Sequence, residues 1–189
     1  MVTIRPICIK GNPVLHRRAA EVTQFDEELR TLVQDMYETM DQAPGVGLAA
    51  TQVGVGLRVF TYNWTEDDGT HLRGVVINPE LELGPISDDE PDDETESEGC
   101  LSFPTYRFPI KRADYALLTG VDLEQNPVKI EAHGWLARIF QHEFDHLDGL
   151  LYIDKLRNEF KVEVEEITNE EGWGVDGLSW LPGKDKIEA

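Results

Sequence analysis

His142, Glu143 and His146 stand in the spacing H-E-x-x-H within Gln141 to Gly149 (QHEFDHLDG). On a helix, residues four apart lie one above the other on the same face, so two imidazoles at this spacing reach one metal ion. Glu143 projects about one hundred degrees from His142, beside such an ion rather than on it, where a base for an attacking water belongs. The apolar residues around the motif predict burial, and burying two histidines and a glutamate without a role is costly.

A catalytic metal ordinarily takes three protein ligands and keeps one position open. The metzincin spacing would put a histidine where Tyr152 stands, so that pattern is excluded. A thermolysin-like site would take a glutamate from a following helix, where Glu165 and Glu166 fall. The third option is Cys100, upstream in Glu98 to Ser102 (EGCLS). A thiolate with two imidazoles suits a divalent transition metal. Cys100 sits in a tight Gly-Cys-Leu-Ser segment that can present a side chain to a helix. The glutamates belong to a charge-rich run (EVEEITNEE) that reads as an exposed helix face. Both features favour Cys100. Cys8, in the apolar run ICI, reads as a small core residue.

The motif must ride on a helix, and Trp135 to Leu147 has that periodicity through Trp135, Leu136, Ile139, Phe140 and Leu147, with Gly149 placed to stop it. A second amphipathic helix is predicted over Phe25 to Asp41, capped by Asp26, with Leu29, Leu32, Val33, Met36 and Met40 as its apolar stripe. Strand patterns lie at Leu57 to Tyr62, Arg73 to Ile77, Tyr115 to Thr119 and Val128 to Ala132. A short helix is expected over Asp154 to Ile167, and the tail Gly172 to Gly183 reads as ordered coil pinned by Trp173 and Trp180. Strands first and a helix late, without β-α alternation, predict an α+β fold: mostly antiparallel sheets around a central helix that carries H-E-x-x-H.

A chain of 189 residues with 40% hydrophobic content is long and apolar enough for one folded domain. Its net charge of -20, from 37 acidic and 17 basic residues, repels phosphate and argues against DNA or RNA binding. Asp88 to Glu98 (DDEPDDETESE) is the densest acidic run and reads as a solvated, mobile loop. The start reads as no signal peptide and no run is long enough to span a membrane, so a cytoplasmic protein is expected. The two cysteines are expected as free thiols rather than a disulfide.

Three motifs in order, Gly45 to Gln52 (GVGLAATQ), Glu98 to Ser102 (EGCLS) and Gln141 to His146 (QHEFDH), make the chain resemble the peptide deformylases, over about Arg5 to Asp154. The tail after Ile167 is similar to a terminal extension of the actinobacterial branch. The resemblance implies a catalytic domain over 1–167 and an extension over 168–189, packed on or trailing from it. It implies Cys100, His142 and His146 as metal ligands, with Fe(II) as the native ion and Zn, Ni or Co as possible occupants. Glu143 would be the general base and later the general acid. Gln52 and the backbone N–H of Leu101 would donate to the developing oxyanion. Backbone groups of Val46, Gly47 and Gly99 would hold the substrate like an added strand, with Val46, Trp135 and Ile139 around its methionine side chain. The substrates implied are formyl-methionyl peptides and nascent chains, from which formate is released. Some deformylases dock on the ribosome through a basic C-terminal helix; here Glu159 to Glu171 is acidic, so ribosome contact is expected to be weak or transient. Arg107 is expected to hold Glu98. The rival activity is the thermolysin-like endopeptidase with His142, His146 and Glu166.

Overall fold

A computed structural model describes residues 2–185. The chain opens with a short strand, β1 (Ile7–Cys8), and a 3-10 turn, Pro13–His16. The first long helix, α1, covers Glu27–Gln42. The Asp26 carboxylate accepts the Leu29 N–H at 3.1 Å, and Glu27 and Glu28 complement the helix dipole in the first turn. Then come β2 (Gly47–Ala49), a 3-10 turn over Ala50–Val53, β3 (Val59–Thr65) and β4 (His71–Leu83). The pair β5 (Ser97–Cys100) and β6 (Phe103–Pro109) precedes β7 (Tyr115–Val121) and β8 (Pro127–His133). The second long helix, α2, covers Gly134–Leu147 and carries the H-E-x-x-H motif. A 3-10 turn (Tyr152–Lys155), α3 (Asn158–Glu170) and β9 (Ser179–Trp180) complete the described chain.

Five strands form one antiparallel sheet in the order β2-β3-β4-β7-β8. Alternate residues of a strand face opposite ways. Phe60 and Tyr62 of β3 therefore meet Leu136, Ala137 and Phe140 of α2, whereas Val59 joins Met36 and Met40 of α1 on the other face. Most of the α2 side chains are buried, so the motif helix is central and enclosed. It ends where expected: Gly149 has φ +79°, and a Cβ there would lie 2.7 Å from the Arg17 backbone. This is the α+β arrangement predicted.

Four differences have local causes. The hairpin β5–β6 carries no strand pattern in the sequence, because Glu98 to Pro109 mixes charge, glycine and proline instead of alternating cleanly. Strand β4 runs on to Leu83, past a register shift between Ile77 and Glu80. The third helix begins at Asn158 rather than Asp154, because the Asp154 carboxylate accepts the Leu151 N–H at 2.8 Å and closes a separate 3-10 turn. Glu98, counted with the solvated acidic run, is only 3% exposed.

The tail returns to the body. Strand β9 pairs antiparallel with β1, Ile7 opposite Trp180, and Trp173 packs edge-on against Phe103 at 5.0 Å. Residues 186–189 of the expected extension lie outside the described residues. Among the described residues, no helix is long and apolar enough to cross a membrane.

Candidate active site

Strand alternation sets the site up. Glu98 and Cys100, two apart on β5, share one face, and both turn toward α2 while Gly99 faces the other way. Cys100 Sγ lies 3.4 Å from His146 Nε2. Glu98 Oε2 lies 2.9 Å from His142 Nδ1, which leaves the Nε2 of that ring to face the thiol. The ligand atoms of Cys100, His142 and His146 lie within 4.8 Å of one another.

Glu98 is the hub beneath these residues. Its Oε1 accepts Arg112 Nε at 2.9 Å and Arg138 Nη1 at 2.9 Å, and its Oε2 accepts Arg112 Nη2 at 3.0 Å. Arg112 continues to Asp145 at 2.6 Å, on the turn of α2 between the histidines. Arg107, expected to hold Glu98, bonds instead to the Ser97 carbonyl at 2.7 Å. Arg107 stands opposite Gly99 in the β5–β6 register, so its side chain leaves the face opposite to that of Glu98, whereas Arg112 reaches Glu98 from the loop beyond β6. Gln141 pins the same helix by bonding both the N–H and the carbonyl of Ala113, at 3.0 and 2.8 Å.

This network polarises the two imidazoles. Burial opposes a charge on His142, yet the bonds to Cys100 and Glu98 outweigh it and hold its pKa well above the ordinary histidine value. Burial, then the nearby His142 and Arg112, push His146 well below it. Glu143 is buried beside them, and desolvation pushes its carboxyl up to about 7, with the His142 charge opposing. Its Oε2 and the Nδ1 of His146 are buried with no partner among the described residues. A buried carboxylate oxygen so placed points to a group that is meant to arrive.

Gln52 is held at its other end. Its Oε1 accepts the Ala49 N–H at 2.9 Å, which turns the amide donors toward Cys100 Sγ at 3.7 Å and Ser102 Oγ at 3.3 Å. A Cβ on Gly47 would fall 2.3 Å from Glu143 Oε1, so glycine lets β2 run directly over the carboxylate. A cleft of about 240 Å³ opens above these groups, lined by Val46, Gly47, Gln52, Gly99, Leu101, Trp135, Ile139 and Glu143 among others. Val46 and Trp135 stand half-exposed at its mouth while Ile139 is buried. Trp135 is braced by stacking on Trp64 at 6.2 Å and by the Arg138 guanidinium at 5.3 Å.

The donor set fits a transition-metal ion: one soft sulfur and two imidazole nitrogens converge, and Cys100 and His142 line the cleft. Glu166 is exposed on α3 and lines no part of the cleft, which removes the third ligand of the thermolysin-like alternative. Three potential ligand atoms that converge beside a buried carboxylate, on an α+β frame, are what a metal-dependent hydrolase needs.

Known proteins narrow the class. A family model described as Polypeptide deformylase matches residues 4–162. The chain is 48% identical to a peptide deformylase of Mycolicibacterium paratuberculosis, covering 97% of this chain and 96% of that one. It is 47% identical to peptide deformylase 2 of Corynebacterium efficiens, over 98% and 96% of the two chains. Among solved structures, a peptide deformylase from Ehrlichia chaffeensis superposes with a TM-score of 0.75 at 33% identity, over 90% of this chain and 98% of that one. One from Synechococcus elongatus in complex with actinonin gives 0.75 at 32%, over 91% of each. The chain belongs to the peptide deformylase family, metal-dependent hydrolases that remove the N-terminal formyl group from polypeptides.

Proposed function

We propose that Cys100, His142 and His146 hold the metal, that Glu143 moves the protons, and that Gln52 and the Leu101 N–H receive the oxyanion. The observation that carries this reading is the convergence of Sγ and two ring nitrogens next to the unpartnered carboxylate of Glu143. When bound, the metal supplies a Lewis acid that acidifies water and polarises the formyl group. Glu143 takes a proton from the attacking water, whose oxygen joins the formyl carbon. Negative charge on the formyl oxygen meets the amide donors of Gln52, aimed by the Ala49 bond. The carbon–nitrogen bond then breaks as Glu143 delivers its proton to the departing amine, and formate and a free N-terminus leave. A carboxyl with its pKa near 7 can both accept and return a proton at neutral pH.

Backbone groups of Val46, Gly47 and Gly99 flank the cleft, where an extended peptide can pair with them as an added strand. The methionine side chain is assigned to the apolar surface of Val46, Trp135 and Ile139. The ion we assign is Fe(II), which the family resemblance implies, with Zn, Ni or Co as substitutes. The described tail, paired with β1, is read as part of a single catalytic domain in a cytoplasmic enzyme. Substrate is reached by free diffusion: exposed Glu163, Glu165 and Glu166 on α3 offer nothing to ribosomal phosphate.

The test is metal content and hydrolysis of formyl-Met-Ala-Ser on protein purified without oxygen. About one iron per chain with rapid turnover is expected, declining in air faster than in nickel-loaded protein. Full turnover by metal-free protein, or an iron enzyme stable in air, would contradict the assignment.

A further inference from the structure

The turn after Cys100 is tethered from outside its own hairpin. Trp180 of β9, only 6% exposed, donates its indole N–H to the Leu101 carbonyl at 2.8 Å. Lys10 N–H donates to the next carbonyl, that of Ser102, at 2.8 Å. The Lys10 carbonyl in turn accepts the Gly174 N–H at 2.9 Å, and Ile9 N–H donates to Leu178 at 3.0 Å. The tail and the N-terminal strand thus form one brace, and its endpoints are two successive peptide planes of the turn. A buried indole N–H takes an acceptor wherever it sits; what matters is that this one takes the turn next to the cysteine. The Trp180 side chain also lines the cleft.

We infer that Trp180 is a positioning residue for deformylation, acting through Leu101. Each peptide unit is rigid, so a segment is aimed by fixing the planes on either side of a residue. Pairing of β5 with β6 fixes the chain up to Cys100. Trp180 fixes the plane that follows Leu101, and Lys10 the one after. Between these anchors the Leu101 N–H has one direction. An oxyanion donor stabilises the transition state because it is already aimed and needs no reorganisation when charge develops. The inference rests on the proposed role of the Leu101 N–H. It makes the tail part of the catalytic apparatus, although no tail residue touches the reacting atoms in this role.

The test replaces Trp180 by benzothienylalanine, which keeps the bicyclic shape and puts sulfur in place of the N–H, with Trp180→Phe as a second variant. Metal content, melting temperature, kcat and KM are measured with formyl-Met-Ala-Ser, alongside Gln52→Ala. Loss of one neutral hydrogen bond predicts a kcat about three- to tenfold lower, with KM within about twofold and metal content unchanged. Parental kcat in the benzothienylalanine protein overturns the inference. So does a change confined to KM, which would make Trp180 a wall of the cleft only, or a matching loss of metal and melting temperature, which would make it structural only. If Gln52→Ala falls on the order of a hundredfold while the Trp180 variants stay parental, only this inference fails. If Gln52→Ala is itself parental, the Gln52 share of the oxyanion assignment fails, and the Trp180 variants alone decide this inference.

Discussion

Gly47→Ala tests the placement of Glu143 without replacing any charged group. A Cβ at residue 47 would lie 2.3 Å from Glu143 Oε1, 2.7 Å from its Cδ and 2.9 Å from its Cγ. Ordinary contact needs about 3.5 Å, so the carboxylate must retreat by about 1 Å. It has little room: Glu143 is 4% exposed, on a helix packed against the sheet. A misplacement of about 1 Å costs on the order of 10²-fold in rate, and complete removal of a general acid–base group costs ~10²–10⁴-fold. Gly47→Ala should therefore lower kcat for formyl-Met-Ala-Ser about a hundredfold while bound metal stays at the parental level, because the three ligands are untouched. Gly45→Ala is the graded control: its Cβ would meet the tip of the Leu101 side chain at 3.0 Å, which can swing aside, with Gly47 O at 3.4 Å and Met40 Cγ at 3.7 Å in ordinary contact, so its loss should be several-fold. Turnover is followed by formate release and metal by elemental analysis. A Gly47→Ala enzyme within threefold of the parent, or one that has shed its metal, would refute the reasoning.

Cys100→Ala, His142→Ala and His146→Ala should each lose most of the bound metal and Glu166→Ala should keep it, as elemental analysis of the four proteins will show; the reverse pattern for Cys100 and Glu166 would restore the thermolysin-like ligand set. Glu98→Gln leaves Arg112, Arg138 and His142 facing a neutral group, so chemical denaturation should show a loss of about 3–5 kcal/mol and competition with a chelator a 10–100-fold weaker metal affinity; unchanged values would mean that the hub holds nothing. Co-sedimentation with ribosomes across a salt series should show little binding even at low salt, given the net charge of -20; tight, salt-sensitive binding that is lost with the tail after Ile167 would contradict the diffusion reading.

The parts of the site that were legible in the sequence are those whose spacing alone fixes geometry. H-E-x-x-H needs only a helix to bring two imidazoles together, and the apolar periodicity from Trp135 to Leu147 guaranteed one. The rest of the site depends on pairings between distant segments. Glu98 stood out in the E-G-C-L-S motif, but sequence nearness gave it Arg107 as a partner. Its place on the same face as Cys100 follows from the E-G-C alternation, and that face is the one Arg107 does not reach. Arg112 and Arg138 reach it from a loop and a helix whose approach no local pattern encodes. The same holds for the bond from Trp180 to Leu101, since Trp180 sits on a short tail strand whose partner β1 lies at the far end of the chain.

Cys100 and His146 are 46 positions apart, on a hairpin and on a helix with separate neighbours. An ion gripped by both closes a long loop, and closing a loop removes freedom that the unfolded chain would otherwise regain. With the proposed ligand set it would act as a reversible cross-link, with binding energy that doubles as folding energy. Each tenfold rise in free ion above its dissociation constant should add about 1.4 kcal/mol to the stability of the folded chain. Supply of the metal would then set how long the protein lasts as well as how fast it works.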